Sequence, residues 1–574
     1  MVEAAPRITS VDSLPRSKKK PSGDDSHNIL GLRRSKELII ALCGPIGCGI
    51  RSVKEQLEAV LHDEQYKVEL IRVSKQMEDF SKKNGNPIAY KSSSKADRYN
   101  ALMDAGDELR SIHGNTIGAD LAISEISMLR QKASDKSTAS NTPSSEAEFA
   151  EDKDNFNTVK EAALSTRTAY IIDQLKHPDE VHSLKRVYGN IFYFVGVLCD
   201  EERRKVSLKD EGIEASKAHL LIERDKDENL RHGQQLEKTL YHADLFINNS
   251  DPNASTVNFL LGRFLKLAHG GRGITPTTDE SGMYSAYSAS LQSACLSRQV
   301  GASIVDEDGI VVAIGHNDVP KYGGGLYTED DNIIPNMKDY RCVHRDQRCH
   351  NDLHKLKLKD RVEELLVDCL DINLEVVLER LLVPRLKDKI TNESLEEILS
   401  ECKKKLIGEI DAPSIANTLY EKSQIKSLIE YSRAIHAEMD AIVSVARRSA
   451  KIPKNSTLFT TTFPCHNCAR HIIAAGIKRV VYVEPYEKSL AINLHDDAIS
   501  YIDGQNKVLL IPFQGIAPAR YKMFFSNTTP KKDKNGRIII SDREDAFPVD
   551  TVPVDSYLRR ESKVAEEYIK ILHS

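Results

Sequence analysis

Two short segments of the sequence contain the residue types of a metal site. His436 and Glu438 are separated by one residue, and Cys465 and Cys468 are separated by two. One imidazole and two thiolates are borderline-soft ligands, which suit tetrahedral Zn²⁺ with its fourth position left for water. A structural zinc site normally has four protein ligands, whereas this motif supplies only three. Glu438, two residues from His436, is expected to lie close to the metal without binding it. The pattern therefore predicts a catalytic zinc site with His436, Cys465 and Cys468 as its ligands.

The segments around these residues are predicted to be elements that position the ligands. Residues 457–463 are predicted to form a strand and residues 465–475 a helix. Cys465 and Cys468 then lie on one side of the first helical turn, where the helix N-terminus favours their thiolate forms. His436 begins another predicted helix, whose apolar stripe packs it against the sheet. Both halves of the motif are thus expected at helix starts within an α/β pattern.

The sequence before the metal motif predicts the rest of this sheet. Two short predicted strands, residues 301–305 and 310–314, flank Asp308 and Gly309, a dipeptide typical of a hairpin turn. Alternating helices and strands follow, which indicates a sheet covered by helices. Between the hairpin and the metal motif, residues 353–432 are rich in Leu, Lys and Glu with helical periodicity. This segment is predicted to be a helical insertion.

The metal motif resembles the signature of the zinc-dependent cytidine deaminase superfamily, in which His-x-Glu is followed by Pro-Cys-x-x-Cys. The resemblance implies Zn²⁺ as a cofactor and a water that Zn²⁺ activates for attack on C4 of cytosine. It also implies that Glu438 is catalytic: this residue takes a proton from the water, gives one to N3 and helps the amino group leave as ammonia. The alternative is a structural zinc site beside an incidental Glu438.

Within that superfamily the sequence is most similar to the deoxycytidylate-type branch. Adenosine-type tRNA deaminases usually have Glu at the position of Phe463, so Phe463 favours free nucleotides. By the same resemblance Asn317 hydrogen-bonds the sugar or base of the substrate; the alternative is a turn-forming Asn bonded to the backbone. Asp440 and Asp318 stand where Asn and Gly are usual, and either change could alter substrate contacts. The phrases that carry the resemblance are residues 298–302, 315–320, 436–442 and 461–465.

A second motif is a glycine-rich loop between a predicted strand, residues 37–42, and a predicted helix that begins at Arg51. This context is typical of a loop that binds phosphate through backbone N–H groups and a helix N-terminus. However, Ile50 occupies the position of the Walker A lysine, and Arg51 follows where Ser or Thr is expected. The loop is therefore predicted to bind a nucleotide without competent phosphoryl transfer, or to serve only as a tight turn. Its candidate phosphate-binding residues are Gly44, Gly47, Gly49 and Ser52.

Two weaker signals concern further metal sites. Asp173 ends another apolar strand candidate and fits either a magnesium-associated carboxylate or an ordinary strand-end Asp. A cluster of Cys342, His344, Cys349 and His350 has residue types that suit a second zinc ion, although the two Cys are not at zinc-finger spacing. Some deoxycytidylate deaminases carry an accessory zinc near this place in the chain. A second zinc site and an ordinary polar loop both remain open.

The order of the two motifs adds a further resemblance. A degenerate kinase-like domain ahead of a deoxycytidylate-type deaminase resembles the bacterial anti-phage deoxycytidine-nucleotide deaminases, over residues 37–525 except the low-complexity stretch. The resemblance implies conversion of dCTP or dCMP to the deoxyuridine nucleotide with release of ammonia, and depletion of the dCTP pool during phage infection. It further implies a homo-oligomer, and a regulatory nucleotide or an inhibitory partner at the N-terminal domain.

Composition narrows the alternatives. Lys and Arg number 80 and Asp and Glu 85, which gives a formal net charge of −5; aromatic residues make up 6% and Trp is absent. A polynucleotide-editing deaminase needs basic residues with stacking aromatic side chains, so this alternative is disfavoured. A nucleotide-sensing scaffold with a spent site is disfavoured by the complete metal motif. No uncharged apolar run spans a bilayer, no apolar signal region is present, and ten Cys in 574 residues do not form a disulfide framework. We therefore expect a cytoplasmic protein without membrane contact.

The sequence as a whole predicts an α/β fold. An N-terminal P-loop kinase-like domain with a parallel sheet is followed by a cytidine-deaminase-like α/β/α sandwich with a helical insertion. The predicted boundaries are a disordered leader over residues 1–28, the kinase-like domain over 29–272 with a mobile insertion at 133–155, the deaminase domain over 273–525 with the helical insertion at 353–432, and a C-terminal tail over 526–574 without an assigned activity.

Overall fold

The computed structural model of the chain contains two six-stranded sheets in a mixed α/β arrangement. The predicted leader, residues 1–28, lies outside the described residues. So does most of the predicted insertion at 133–155, although its first residues belong to a helix that ends at Thr138. The structure describes residues 35–573 except for 91–93, 139–165, 227–232, 251–252, 272, 335–337, 387–390, 424, 426–427, 429–430, 486–488, 505, 527–531, 533, 539–547 and 549–553.

Among the described residues, five strands precede residue 272 and seven follow it, and the last of these seven joins the sheet of the first five. They are β1 Leu38–Cys43, β2 Lys67–Arg72, β3 Thr168–Asp173, β4 Phe192–Leu198, β5 Leu245–Asn248, β6 Gly301–Val305, β7 Val311–His316, β8 Thr457–Thr462, β9 Arg479–Glu484, β10 Ile499–Ser500, β11 Val508–Pro512 and β12 Gly515–Ile516.

The helices of the described residues alternate with these strands in both domains. None of them is long and apolar enough to cross a lipid bilayer. They are α1 Ile50–Asp63, α2 Val73–Lys83, α3 Lys95–His113, α4 Ile117–Thr138, α5 Pro178–Tyr188, α6 Glu201–Asp210, α7 Ala215–Lys226, α8 Leu236–Leu240, α9 Ala254–Ala268, α10 Thr278–Ser290, α11 Asp330–Ile333, α12 Cys342–Arg345, α13 His350–Leu386, α14 Asn392–Gly408, α15 Ala412–Lys422, α16 Ala437–Arg447, α17 His466–Ala474, α18 Ala491–Leu494, α19 Tyr521–Phe525 and α20 Val554–His573, with 3₁₀ turns at Gly189–Ile191 and Pro518–Arg520.

The first sheet has the order β12-β5-β4-β1-β3-β2, and its strands β1 to β5 are parallel. Every residue of the central strand β1 is buried, as its continuous apolar run predicts. The glycine-rich loop follows β1, and α1 begins directly after it at Ile50. The strand–loop–helix order predicted for this region is therefore confirmed.

The sixth strand of this sheet comes from the far end of the chain and corrects the predicted domain boundary. β12 pairs antiparallel with β5, although Gly515 lies within the segment predicted to be deaminase domain. The buried carboxylate of Glu280 holds it there: it accepts a 2.8 Å hydrogen bond from the Ile516 backbone N–H and two 2.7 Å hydrogen bonds from Arg263. Sequence patterning does not reveal a two-residue strand whose position depends on so distant an ion pair.

The C-terminal segment also differs from its prediction as a tail. Helix α20 packs against α4 and α5 of the first domain. Its Glu561 accepts hydrogen bonds from Arg130 and Tyr188, and its Tyr557 donates to Glu37 at 2.6 Å. Arg130 also donates twice to Glu37, both at 3.1 Å. These buried polar contacts join the residue before β1 to helix α20. Local composition cannot indicate a pairing between segments so far apart in the sequence.

The second sheet has the order β10-β11-β9-β8-β6-β7. β6 and β7 form the predicted hairpin, with Gly309 at φ +84° in its turn. β6 also pairs antiparallel with β8, whereas β8, β9, β11 and β10 run parallel to one another. The predicted helical insertion is present as α13, α14 and α15 between this hairpin and the metal motif.

The buried ion cluster that anchors α20 leads to a stability prediction. Arg130→Met should leave the carboxylates of Glu37 and Glu561 without their cation, and breaking such a buried pair typically costs about 3–5 kcal/mol. Urea unfolding of the two proteins measures the difference. Arg51→Met, which breaks an exposed ion pair with Glu55, should cost less than about 1 kcal/mol. Equal free energies of unfolding for the two variants would contradict the anchoring role.

Candidate metal centre and catalytic cavity

His436 is held at the N-terminus of α16. It is the residue that precedes the helix, with an extended backbone at φ −80° and ψ 153°, and its side chain makes no capping hydrogen bond to the helix. α16 lies against β7 at a point where only glycine fits. A Cβ on Gly315 would lie 2.4 Å from both the Ala437 carbonyl oxygen and the Ala441 amide nitrogen. This close approach fixes the position of His436 relative to the sheet.

Cys465 takes the equivalent place at the N-terminus of α17, which follows strand β8. Its sulfur accepts a 3.4 Å hydrogen bond from the Cys468 backbone N–H. The Nδ1 atom of His436 lies 3.3 Å from the Cys465 Sγ and 3.4 Å from the Cys468 Sγ. The three predicted ligands therefore meet, and they do so at the N-termini of two helices as predicted.

The spacing of these atoms fits zinc. Ligands at about 2.3 Å for sulfur and about 2.0–2.1 Å for nitrogen in tetrahedral geometry lie roughly 3.6 Å apart, and the observed separations are 3.3 and 3.4 Å. Throughout the part of the chain that the structure describes, His436, Cys465 and Cys468 form the only group of three or more His, Cys, Asp or Glu with ligand atoms within 4.8 Å of one another. The donor set supplies three ligands, which is typical of a catalytic zinc site.

Glu438 lies beside this group without belonging to it. The residue is 4% exposed. One carboxylate oxygen is 3.4 Å from the Cys468 sulfur, and the other is 3.5 Å from the Thr460 hydroxyl. A buried carboxylate next to three metal ligands is in the place that a proton-transferring group requires.

Burial and mutual contacts shift the acidities of the group when no metal is present. Hydrogen bonds from the Cys468 thiol and from His436 lower the pKa of Cys465 to about 4, so Cys465 is the thiolate. The hydrogen bond to Cys465 raises the pKa of His436. Burial raises the pKa of Glu438. The site thus already has one thiolate with which to receive a cation.

A cavity of about 470 Å³ opens onto the metal group. Phe463 and Asn317, both singled out from the sequence, line it. The first turn of α13 lines it as well, so the helical insertion contributes to the site. No sequence pattern indicates this, because Asn351, Asp352 and Lys355 reach the cavity only through tertiary packing. The lining residues are Cys295, Leu296, Ser297, Arg298, Val300, Asn317, Asn351, Asp352, Lys355, Ser432, Ala434, His436, Ala437, Glu438, Thr462, Phe463 and Cys465.

The amide of Asn317 is largely committed to the backbone. Its oxygen accepts a 2.7 Å hydrogen bond from the Val300 N–H, and its nitrogen donates to the Arg298 carbonyl at 2.8 Å. The alternative of a backbone-bonded Asn is therefore observed at a residue that also lines the cavity. Neither of the two unusual acids lines it: Asp318 accepts from the Ala294 and Val319 N–H groups, and Asp440 accepts from the His316 N–H.

The residues of the glycine-rich loop lie in the first domain, apart from the metal group. Gly47 and Gly49 adopt φ of +79° and +77°. A Cβ on Gly47 would lie 2.8 Å from the Arg204 carbonyl oxygen, and one on Gly44 2.8 Å from the Val197 carbonyl oxygen. These glycines are thus required by the packing of the loop itself. Ser52 is exposed, and its hydroxyl accepts a 3.2 Å hydrogen bond from Gln56.

The other two predicted metal sites are not assembled in this geometry. Asp173 accepts a 2.8 Å hydrogen bond from Lys54, so an ammonium group occupies the place considered for magnesium. In the predicted second zinc cluster, His350 is 2.7 Å from Asp346 and Cys349 is 3.3 Å from Ser297. The remaining two members likewise contact neighbours: Cys342 contacts Arg433, and His344 lies near Asn332 and Asp339. The geometry favours the polar-loop alternative.

Comparison with known proteins identifies the region around the metal group. Residues 402–484 match the family described as "Cytidine and deoxycytidylate deaminase zinc-binding region". Curated relatives include the deoxycytidylate deaminase of Enterobacteria phage T4, 44% identical over 55 residues, which are 10% of this chain and 28% of that protein. The ComE operon protein 2 of Bacillus subtilis is 40% identical over 57 residues, 10% of this chain and 29% of that protein. The cytosine deaminase of Candida albicans is 32% identical over 68 residues, 12% of this chain and 45% of that protein.

The matched segments therefore cover less than half of the length of each of these relatives. Among solved structures, the apo dCMP deaminase from the cyanophage S-TIM5 aligns over 42% of this chain and 100% of its own, with 19% identity and a TM-score of 0.20. The matched segment 402–484 includes His436, Glu438, Cys465 and Cys468. The C-terminal region of this chain thus contains a cytidine and deoxycytidylate deaminase zinc-binding domain, with Zn²⁺ as its cofactor.

Proposed function

We propose that the protein hydrolytically deaminates free deoxycytidine nucleotides to deoxyuridine nucleotides and ammonia. The observation that carries this proposal is the buried carboxylate of Glu438 beside three zinc ligands at a cavity of about 470 Å³. The curated relatives named deoxycytidylate deaminase and cytosine deaminase support the same reaction class. Because they are matched only in part, the activity of the whole chain is part of the proposal.

The residues divide the chemistry between them. His436, Cys465 and Cys468 would hold Zn²⁺, which would supply a water molecule whose pKa is lowered towards neutrality. Glu438 would accept a proton from the attacking water and deliver it to N3 of the pyrimidine as the water oxygen bonds to C4. Glu438 would then pass the second proton of that oxygen to the exocyclic amino group, so that the C4–N bond breaks, ammonia leaves and a carbonyl oxygen replaces the amino group at C4. The Thr460 hydroxyl lies 3.5 Å from this carboxylate and donates its hydrogen bond of 3.0 Å to the Thr462 carbonyl.

Two cations of the cavity are available to a substrate phosphate, although Asp352 and Glu438 line the same cavity. Arg298 and Lys355 both line it, together with the apolar ring of Phe463. Lys355 is partly buried with its nitrogen 3.8 Å from Asp352, and Arg298 is 3.5 Å from Glu484, so neither cation forms a tight pair there. Asn317 retains one amide hydrogen and one lone pair after its two backbone bonds. These groups suit a nucleotide better than a free base.

The biological role and the exact substrate are further parts of the proposal. We infer that dCTP and dCMP are the candidate substrates, and that deamination depletes the dCTP pool in defence against phage, as the resemblance to anti-phage deaminases implies. In this proposal a nucleotide or an inhibitory partner at the N-terminal domain controls the reaction.

One experiment separates this proposal from its two rivals. Ammonia release is measured from purified protein with deoxycytidine, dCMP, dCTP and single-stranded DNA. Turnover of free nucleotides supports the proposal, turnover of DNA alone would indicate a polynucleotide-editing deaminase, and no turnover by zinc-loaded protein would indicate a spent scaffold.

The zinc ligands give the first prediction for this site. Cys465→Ala should remove one of three ligands, so that zinc falls well below about one per chain and turnover is lost. Metal analysis and ammonia release on the same sample measure both effects. Cys369→Ala, at an exposed Cys of the helical insertion, is the matched control and should retain both. Full zinc content and normal rates in Cys465→Ala would refute the assignment.

Glu438 gives a prediction that separates metal binding from proton transfer. Glu438→Gln should keep its zinc, because Glu438 is not a ligand, and should lose about 10²–10⁴-fold in kcat, the usual range for general acid–base catalysis. Single-turnover rates with quantified zinc provide the measurement. A kcat within a few-fold of the unaltered enzyme would show that another group transfers the protons.

Lys355 gives a prediction about substrate choice. Lys355→Met should raise the KM for dCMP by about 10-fold or more, the value of one charged hydrogen bond, and leave kcat/KM for deoxycytidine nearly unchanged. Lys357→Met is the matched control, since Lys357 is exposed on the same helix and does not line the cavity. Equal losses for nucleotide and nucleoside would show that Lys355 acts through the fold and not through phosphate.

A further inference from the structure

The inner side of the glycine-rich loop is filled by a carboxylate from the same chain. Asp225 lies on α7, 179 residues from Ile46, yet its Oδ2 accepts a 2.6 Å hydrogen bond from the Ile46 backbone N–H. Its Oδ1 accepts a 3.0 Å hydrogen bond from Lys176. Asp225 is 1% exposed. A backbone donor of the kind expected to bind a phosphate oxygen is thus used by an internal anion.

Two cations face this single carboxylate. Arg204 Nη2 lies 3.6 Å from Asp225 Oδ2, beyond hydrogen-bond distance, and is a buried donor without a hydrogen-bond partner among the described residues. Arg204 Nε donates to the Ile46 carbonyl at 2.9 Å, which holds the guanidinium against the loop. Lys176 also donates to the Gly44 carbonyl at 3.1 Å. The site therefore has donors to spare for an anion with more charge and more acceptors than a carboxylate, such as a phosphate group of roughly two negative charges.

The site can be reached from a cavity of about 500 Å³ between the two domains. Pro45, Arg204 and Asp225 line one part of this cavity, and Phe463 and Tyr482 of the second domain line another. Four carboxylates that share the cavity disfavour a large polyanion, so the fitting ligand is a small phosphate or diphosphate group placed at the loop. They are Asp200, Glu201, Glu202 and Glu237.

We propose that Asp225 is a built-in occupant of the loop's anion site, and that a phosphate or diphosphate group binds there only when this carboxylate moves out. The donors around Asp225 give the site its preference for an anion, and the docked carboxylate sets the free-energy cost that an external anion must overcome. This proposal concerns the first domain and does not depend on the deaminase activity.

The test uses inorganic pyrophosphate, titrated calorimetrically into the full-length, zinc-loaded protein. Asp225→Ala empties the site and leaves Lys176 and Arg204 available, so the dissociation constant should fall at least about tenfold relative to the unaltered protein. Asp225→Asn keeps the side-chain shape without its charge and should give a smaller gain; it decides the question if Asp225→Ala does not fold. Adding Lys176→Met to Asp225→Ala should reverse the gain.

Glu223→Gln supplies the matched control, because it removes one negative charge from an exposed residue of the same helix. Its dissociation constant for pyrophosphate should equal that of the unaltered protein. The proposal is overturned if the folded Asp225 variants bind pyrophosphate no more tightly than the unaltered protein, or if Glu223→Gln gains as much as they do. Zinc content and deaminase turnover of the same samples report on the other site, so a failure there is seen separately.

Discussion

The candidate site depends on one constraint: two helix N-termini must meet at the same edge of the second sheet. His436 and Cys465 each directly precede the first residue of their helix, and the Cys465 sulfur accepts a hydrogen bond from the Cys468 N–H in the first turn. The backbone N–H groups at such an end favour an anionic sulfur, which is the form in which a Cys side chain binds zinc. The fold thus brings the ligands together and supplies one thiolate at Cys465, whereas the hydrogen bond to Cys465 and burial raise the pKa of Cys468 while no metal is bound.

The sheet enforces this meeting through its packing. Gly315 lets β7 approach α16 at the point where His436 begins the helix, and Gly301 does the same for β6 and α10, since a Cβ there would lie 1.9 Å from the Ala286 carbonyl oxygen. The first turn of α10 in turn contains Glu280, the carboxylate that binds Arg263 and the backbone of β12. The buried ion pair between Glu280 and Arg263 therefore connects the helix behind the metal-site sheet to the first domain.

Sequence reasoning predicted the parts of this molecule that depend on local patterns. The Asp308-Gly309 hairpin, the helix starts at His436 and Cys465 and the strand before the glycine-rich loop are all set by neighbouring residues, and all are present. The parts that sequence reasoning missed depend on distant partners. Lys355 reaches the catalytic cavity only because α13 packs there, and Asp225 reaches Ile46 across 179 residues. Neither pairing has a periodicity or a motif by which it could be recognised.

Phe463 connects the two halves of the molecule physically. Its ring lines the catalytic cavity and also the cavity that holds Asp225, and it packs edge-on against Tyr482 at 4.9 Å between ring centroids. Because a protein interior is close-packed, a ligand that displaces this ring from one cavity changes the wall of the other. Coupling between the sites then requires only that the ligand bind one arrangement of the ring more tightly than another. Phe463, which the sequence resemblance associates with free-nucleotide substrates, is thus the residue through which a change in one cavity would reach the other.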